Sequence, residues 1–528
     1  MAAARMNDAE AIMWVVESDP FLRTDFTNIT LLESAPDPER LRAGLERAID
    51  SFPPLRQRVA RPALGLAPPQ WADDPDFDLA YHLRRLSVPA PGDVRQLLDL
   101  AAQLAAMPLD RARPLWELTV VEGLAGGRAA VLQRLHHTLT DGVGGMRLLR
   151  SLLERTPPEG HRARFAPIPA PDPLIWRHPE ILSPADVDPR PFAGWHGPAE
   201  HRAERDSPWG LVDRVATPLG EVGGSLAYRF SQGLTAARKG FDLATTLPTS
   251  TGDDLRILAD RARRTARSVA DQVVVSGGPL SPLMVGRSLA RRFETDSFDL
   301  GAVRQAARAF GASRNAVFVA GVTGGLLTYH ERMGAPCDAL RMAIPVSLRG
   351  NAGPPPGGRG GSPRQGRREP AGEGPTVAAP VGGNRFAPAR VVVPIGPKDP
   401  AKRIAAVSQT LTSVAAEPGL HWAEGLAGLI SLLPASLLVP ALRAQARTVD
   451  FAASIVPGLR SGRFMAGAPV EASWPMGPRV GCAVNFTLLT CDDRVHLGVN
   501  LDPAAVTDPA ALMECLADSF GDLLEAGA

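Results

Sequence analysis

The sequence predicts a mixed α/β (α+β) protein built in two halves, and three observations lead there. Its 528 residues exceed the ~100–200 that one domain usually holds. A strand hairpin from Trp116 to about Leu135 runs straight into an apolar stripe at helical spacing. A second succession, of two helices and a strand, begins near Arg291.

Taken in chain order, the first helix signal is Asp37, which can cap, followed by Pro38 in the first turn. Leu41, Leu45, Ile49 and Phe52 then recur on one face, and Pro53 and Pro54 end the run. WELTVVEG and RAAVLQRL read as strands on either side of a glycine-rich turn from Gly123 to Gly127, and the second strand delivers His136 and His137 to a loop. Met146, Leu148, Leu149, Leu152 and Leu153 form the helix beyond, with Thr140 or Asp141 placed to cap it.

Residues 157–207, rich in proline and tryptophan, read as a long surface connection. Helical stretches between Leu211 and Arg267 form a bridge, so the expected division is 1–207, a helical linker at 208–290, and 291–528. In the second half FDLGAVRQAARAF and NAVFVAGVTGGLLTYHERMG read as helices and ALRMAIPVSLR as a strand. Between Gly350 and Gly383 the chain is glycine, proline and arginine with almost nothing to bury, which predicts a disordered surface loop. A basic tether to lipid or RNA through Arg359, Arg364, Arg367 and Arg368 is the weaker reading, because flexible residues dilute the charges.

A composition of 45% hydrophobic and 21% charged residues belongs to a globular chain, and 57 basic against 56 acidic residues leave +1, no field to gather nucleic acid. Cys337, Cys482, Cys491 and Cys515 show no metal or disulfide spacing and read as reduced core thiols. Acidic residues interrupt the apolar N-terminus, which therefore does not read as a secretory signal, and a cytoplasmic location is the default. Gly425 to Leu442 is uncharged and nearly long enough to span a bilayer, but Pro434 and Pro440 break it. A buried or interfacial helical pair is expected there, and peripheral attachment at the inner membrane face or a lipid droplet stays open.

His136, His137, Asp141 and Gly142 are the residues with chemistry to offer. Adjacent residues leaving a strand point to opposite faces, so the two imidazoles make a poor metal site and no metal is expected. No GxSxG elbow is present and no cysteine sits in an activating context, so a covalent intermediate has no support. An imidazole acting as a direct general base on a hydroxyl that attacks an activated carbonyl remains, beside the plainer reading of a capped helix with two satisfied loop histidines.

HHTLTDG resembles the HHxxxDG motif of the wax ester synthase/diacylglycerol acyltransferases and of the wider CoA-dependent acyltransferase superfamily. PPLRQR (Pro53–Arg58), WADDPDFDLAYHLR (Trp71–Arg84), MPLDRARPLWEL (Met107–Leu118), PVSLR (Pro345–Arg349) and GNRF (Gly383–Phe386) are similar to that family's segments and follow its order. The chain departs at Asn315-Ala316, where the family shows Asn-Asp, and at Ile455 to Leu459, where it shows Asn-Val-Pro-Gly-Pro.

The resemblance implies two chloramphenicol-acetyltransferase-like domains with a central tunnel between them. It implies fatty acyl-CoA as a substrate, no resident cofactor, and diacylglycerol or a long-chain alcohol as acceptor. His137 would be the base, with His136 and Asp141 holding the loop and Gly142 letting backbone pass close to substrate. Trp116, Asn315, Ser347 and Arg349 would lie at the tunnel or the domain interface, Trp116 in a packing role. An acyltransferase acting on a secondary-metabolite hydroxyl and a lipid-binding paralogue with little turnover are the alternatives.

Overall fold

The computed structural model describes residues 4–60, 69–140, 142–154, 277–347, 386–415, 435–459 and 464–528. The expected connection at 157–207, the helical bridge, the 350–383 loop, Asp141, Arg349 and Pro434 lie outside the described residues.

The first half contains strands β1 (Ala4–Arg5), β2 (Phe26–Leu32), β3 (Gln57–Ala60), β4 (Gln70–Asp73), β5 (Leu83–Ser87), β6 (Trp116–Glu122), β7 (Ala129–Leu135) and β8 (Leu153–Glu154). Its helices are α1 (Asp8–Val16), α2 (Pro38–Ser51), α3 (Leu79–His82), α4 (Val94–Ala106) and α5 (Gly142–Ser151). The second half contains β9 (Arg292–Asp299), β10 (Ala339–Ser347), β11 (Phe386–Pro394), β12 (Phe451–Leu459), β13 (Phe464–Met465), β14 (Ala468–Met476), β15 (Val484–Cys491) and β16 (Arg494–Leu501). Helices α6 (Leu300–Ala309), α7 (Arg314–Arg332), α8 (Pro400–Ala415), α9 (Ala435–Ala446) and α10 (Pro509–Ala526) accompany them.

Capping chemistry sets the helix starts. Asp37 accepts the Arg40 amide at 2.8 Å and Pro38 opens α2, which buries Leu41, Leu45, Ala48 and Ile49. The predicted hairpin is β6 and β7, paired antiparallel from Trp116↔Leu135 to Val121↔Ala130. Every residue of β7 is buried, which fixes the direction in which the chain leaves the sheet at Leu135. In the second half α7 is buried along most of its length against the sheet and α10, with Val317, Phe318, Val322 and Leu326 in the core.

The halves are interlocked. The seven-stranded sheet runs β5-β6-β7-β2-β14-β13-β8, so two strands from the C-terminal part of the chain complete the N-terminal sheet. The six-stranded sheet runs β11-β10-β12-β15-β16-β9, and a small sheet runs β1-β4-β3. The crossover strand β14 pairs with β2 from Val470↔Leu32 to Met476↔Thr27. At its centre Asn28 donates to Ser473 at 3.0 Å, so a buried polar contact sets the register.

Three local expectations are corrected. Leu153 belongs not to the helix but to β8, where it pairs with Met465. Phe298 and Asp299 end β9, and α6 starts at Leu300 because the Asp299 carboxylate caps it. Pro440 sits inside α9 rather than breaking it, because Ser436, whose carbonyl the proline leaves unbonded, is exposed and water can take that carbonyl. Leu437 is 63% exposed, so this helix is not fully buried. No helix among the described residues is long and apolar enough to cross a membrane.

Candidate active site

Strand β7 ends at Leu135, and the chain turns at once: His136 N–H donates to the Leu115 carbonyl at 3.1 Å and Leu139 N–H to that of His136 at 3.0 Å. The two imidazoles therefore diverge. His136 is 3% exposed, with Trp14 edge-on at 6.3 Å between ring centroids. The Thr138 amide donates to its Nδ1 at 3.1 Å, leaving Nε2 to carry the proton and donate to Glu17 Oε2 at 2.5 Å. Glu17 also accepts from the Thr24 amide and hydroxyl, both at 2.5 Å. Burial pushes the Glu17 carboxyl up, but its interactions with His136 and Thr24 outweigh that and hold it below the usual range.

His137 faces the other way, half-buried, its ring 5.0 Å from that of Phe26. Helix α5 covers the same phenyl group through Gly145, where a Cβ would stand 2.8 Å from Phe26 Cζ. Gly142 is the first residue of α5. From the last turn of that helix Arg150 donates to the Gly458 carbonyl of β12 at 3.0 Å, tying the motif's helix to the second half.

A buried ion-pair group backs the motif. Asp25, next in sequence to Phe26, accepts from Arg134 Nη2 at 3.1 Å and from Arg291 Nη2 at 3.2 Å. Burial raises the Asp25 carboxyl, and the two guanidiniums overcome it and hold it low. Glu17, Thr24, Asp25 and Arg291 were missed in the sequence. Only the charge of Glu17 and Asp25 in an apolar neighbourhood could have drawn attention to them.

The remaining predicted residues separate. Trp116 is in the N-terminal core, donating through Nε1 to the Leu55 carbonyl at 2.7 Å and stacked on His82 at 4.6 Å. Asn315 lies exposed in the first turn of α7, which Ser313 caps. Ser347 ends β10 opposite Phe386. Among the described residues no three His, Cys, Asp or Glu side chains gather to hold a metal. Burial pushes the Cys337 and Cys482 thiols up to about 11, which leaves neither a thiolate nucleophile.

Two cavities lie near the motif, and one of them reaches His136. The wider, about 270 Å³, is lined by Glu17, Arg23, Asp25, Leu109, Leu115 and His136 among others. The narrower, about 60 Å³, lies between the halves and shares Pro20 and Arg23 with it. The wider one lies on the His136 side of the strand end, and neither is lined by His137.

Two mixed sheets joined by a crossover strand, with β7 leading into His136 and His137, define the chloramphenicol-acetyltransferase-like class of acyltransferase fold. Two solved structures share it. The wax ester synthase/diacylglycerol acyltransferase of Marinobacter aquaeolei VT8 has a TM-score of 0.56 at 18% identity, covering 99% of this chain and 100% of that one. The starter condensation domain of rhizomide synthetase, in complex with C8-CoA and Leu-SNAC, has a TM-score of 0.50 at 12% identity, covering 99% and 94%.

The chain belongs to the wax ester synthase/diacylglycerol acyltransferase family. The family's catalytic domain matches residues 1–318 and its C-terminal domain residues 382–524. A Mycobacterium tuberculosis relative, provisionally named a diacylglycerol O-acyltransferase, is 32% identical over 96% of this chain and 89% of its own.

Proposed function

We propose that the protein transfers a fatty acyl group from acyl-CoA to diacylglycerol, to a long-chain alcohol, or to both, with His137 as general base. The observation that carries this reading is the divergence of the two histidines. His136 turns into the core onto Glu17 and Thr138, while His137 turns to the opposite side of the strand end, half-buried against Phe26.

In this mechanism a ring nitrogen of His137 takes the proton of the acceptor hydroxyl as its oxygen attacks the thioester carbonyl. The tetrahedral intermediate collapses, the C–S bond breaks, and the departing CoA thiolate recovers the proton from the imidazolium. No acyl-enzyme forms and no resident cofactor is needed, since acyl-CoA is consumed as substrate. General base action supplies ~10²–10⁴-fold, so positioning of the two substrates and stabilisation of the oxyanion supply the rest. The product is triacylglycerol or wax ester, made where lipid acceptors reside, at a membrane or lipid-droplet surface.

A lipid-binding chain with little turnover is the second reading, favoured by a cavity that borders His136 instead of His137. Purified protein incubated with labelled palmitoyl-CoA and either dioleoylglycerol or hexadecanol separates the two. Labelled triacylglycerol or wax ester is expected. No ester with either acceptor sinks the transferase reading.

A further inference from the structure

We propose that Ser454 of β12 selects the acyl acceptor: its Oγ accepts a hydrogen bond from a second hydroxyl, so that 1,2-diols and monoacylglycerols are favoured over acceptors with one hydroxyl. The proposal rests on the acyl-transfer reading above and adds a substrate class to it.

Strand β12 carries Ser454 to the side of the motif. Arg150, in the last turn of α5, is tied to the Gly458 carbonyl near the end of β12, and the helix packs along the strand. From that tie the helix runs back ~12 Å to Gly142 and the strand ~13 Å to Ser454, which brings Ser454 level with the helix start, close behind His137 in sequence. Ser454 and Val456 share one face of the six-stranded sheet with their partners Thr487 and Leu489. Leu489 belongs to a core cluster of the first half, against which Val456, Phe26 and Leu148 also pack. That face is therefore turned to the half that holds His137, whose ring lies 5.0 Å from that of Phe26. Ser454, Val456, Phe26 and His137 are all half-buried, so each keeps surface for a bound molecule.

Behind Ser454 the hydrogen bonds run in one direction. The Pro478 carbonyl can only accept, so Asn485 presents Nδ2 to it, at 2.7 Å. Asn485 Oδ1 then accepts from Thr487 Oγ1 at 2.7 Å, and Thr487, its proton spent, accepts from Ser454 Oγ at 3.2 Å. Thr487 and Asn485 are buried, and a Cβ on Gly477 would stand 2.5 Å from Thr487 Oγ1, which leaves no room on that side for a water to reverse the chain. Reversal would strand the Asn485 oxygen without a donor, at a cost above what one new neutral hydrogen bond returns. Ser454 thus meets a ligand only as a hydrogen-bond acceptor.

That polarity names the ligand. A bound acyl acceptor directs the proton of its attacking hydroxyl to His137. A fatty alcohol or a diacylglycerol then has no O–H left, and ester carbonyls, which only accept, find no donor at Ser454. A 1,2-diol or a monoacylglycerol has one more hydroxyl to give. Sites built to hydrogen-bond a substrate hydroxyl discriminate against the analogue that lacks it.

Binding without a donor and ester formation with one test the proposal together. The compounds 1,2-decanediol and 1-decanol differ by one hydroxyl. Their equilibrium affinities in the absence of acyl-CoA, and their kinetics with palmitoyl-CoA, are compared in wild type and Ser454→Ala. The substitution should weaken the diol about fivefold more than the alcohol, the share of one neutral hydrogen bond, through affinity and KM, with the ratio of kcat values unmoved. Ser454→Thr, which keeps the oxygen, should keep the wild-type ratio. A diol-to-alcohol ratio that Ser454→Ala leaves unchanged, or no binding of either compound by wild type, overturns the proposal. A Ser454-dependent ratio in binding with no ester from either compound keeps the site and sinks the transferase reading, whereas ester formation with a ratio indifferent to Ser454 does the reverse. Should Ser454→Ala fail to fold, Ser454→Cys, whose sulfur accepts weakly, is compared in its place.

Discussion

His136 donates through Nε2 to the Glu17 carboxylate at 2.5 Å, a contact that joins residues 119 apart in sequence and holds the start of the HHTLTDG segment against the end of α1. Because the same carboxylate accepts twice from Thr24, it acts as a hub whose removal leaves three donors without their acceptor. Glu17→Ala is expected to cost ~1–3 kcal/mol in unfolding free energy and to lower kcat more than it raises KM. Denaturant unfolding and ester kinetics on one preparation check both parts; unchanged stability would remove the hub role.

The same contact gives a pH dependence. The Glu17 carboxyl is held below its ordinary value of 4.5, so its contribution to stability is complete above that value and is lost as pH falls through the lower folded one. Wild type should therefore lose stability relative to Glu17→Gln on acidification below pH 4.5. Parallel curves for the two proteins would contradict this.

A second titration runs through β16. Burial, aided by Arg494 and opposed by Asp493, pushes the His496 imidazole from 6.5 down to about 4, so it is neutral when folded at pH 7 and its Nδ1 meets Ser297 Oγ at 2.8 Å. The unfolded chain takes up the proton first. Stability from this group is thus fully present above pH 6.5 and declines as pH falls toward 4. The difference in unfolding free energy between wild type and His496→Gln should shrink across that window, and the opposing titration of Asp296, raised by burial to about 6, cancels in the difference.

Asp25 ties the halves together through Arg134 and Arg291, the second of these 266 residues away. Asp25→Asn removes the charge that two buried guanidiniums share and should destabilise by ~3–5 kcal/mol, since breaking one side of a buried pair leaves the other uncompensated. Thermal or denaturant unfolding that shows a cost below 1 kcal/mol would argue against a structural tie.

Gly458 is held where any side chain collides: a Cβ would lie 2.0 Å from the Thr490 carbonyl oxygen. Gly458→Ala should force β12 away from β15, cost ~1–3 kcal/mol and loosen the Arg150 contact. Retained stability and activity would show that the strand edge can move freely.

Local signals carried most of what could be foreseen. Asp37-Pro38 and the Leu41, Leu45, Ile49 spacing located α2, and alternating apolar runs around Gly123 to Gly127 located the β6–β7 hairpin and the placement of the two histidines. Periodicity reports which face of an element is buried but not which element buries it. Nothing in Ala468–Met476 says that it pairs with Phe26–Leu32, and the Asn28 to Ser473 contact spans 445 residues. Glu17 and Asp25 escaped for the same reason, because their partners are brought to them only by the fold.

His137→Ala measures the central claim most directly. With the variant shown by its thermal unfolding midpoint to be as well folded as wild type, the account predicts that ester formation from palmitoyl-CoA falls by ~10²-fold or more, the contribution of a general base. A folded His137→Ala protein that still makes ester at the wild-type rate would contradict it.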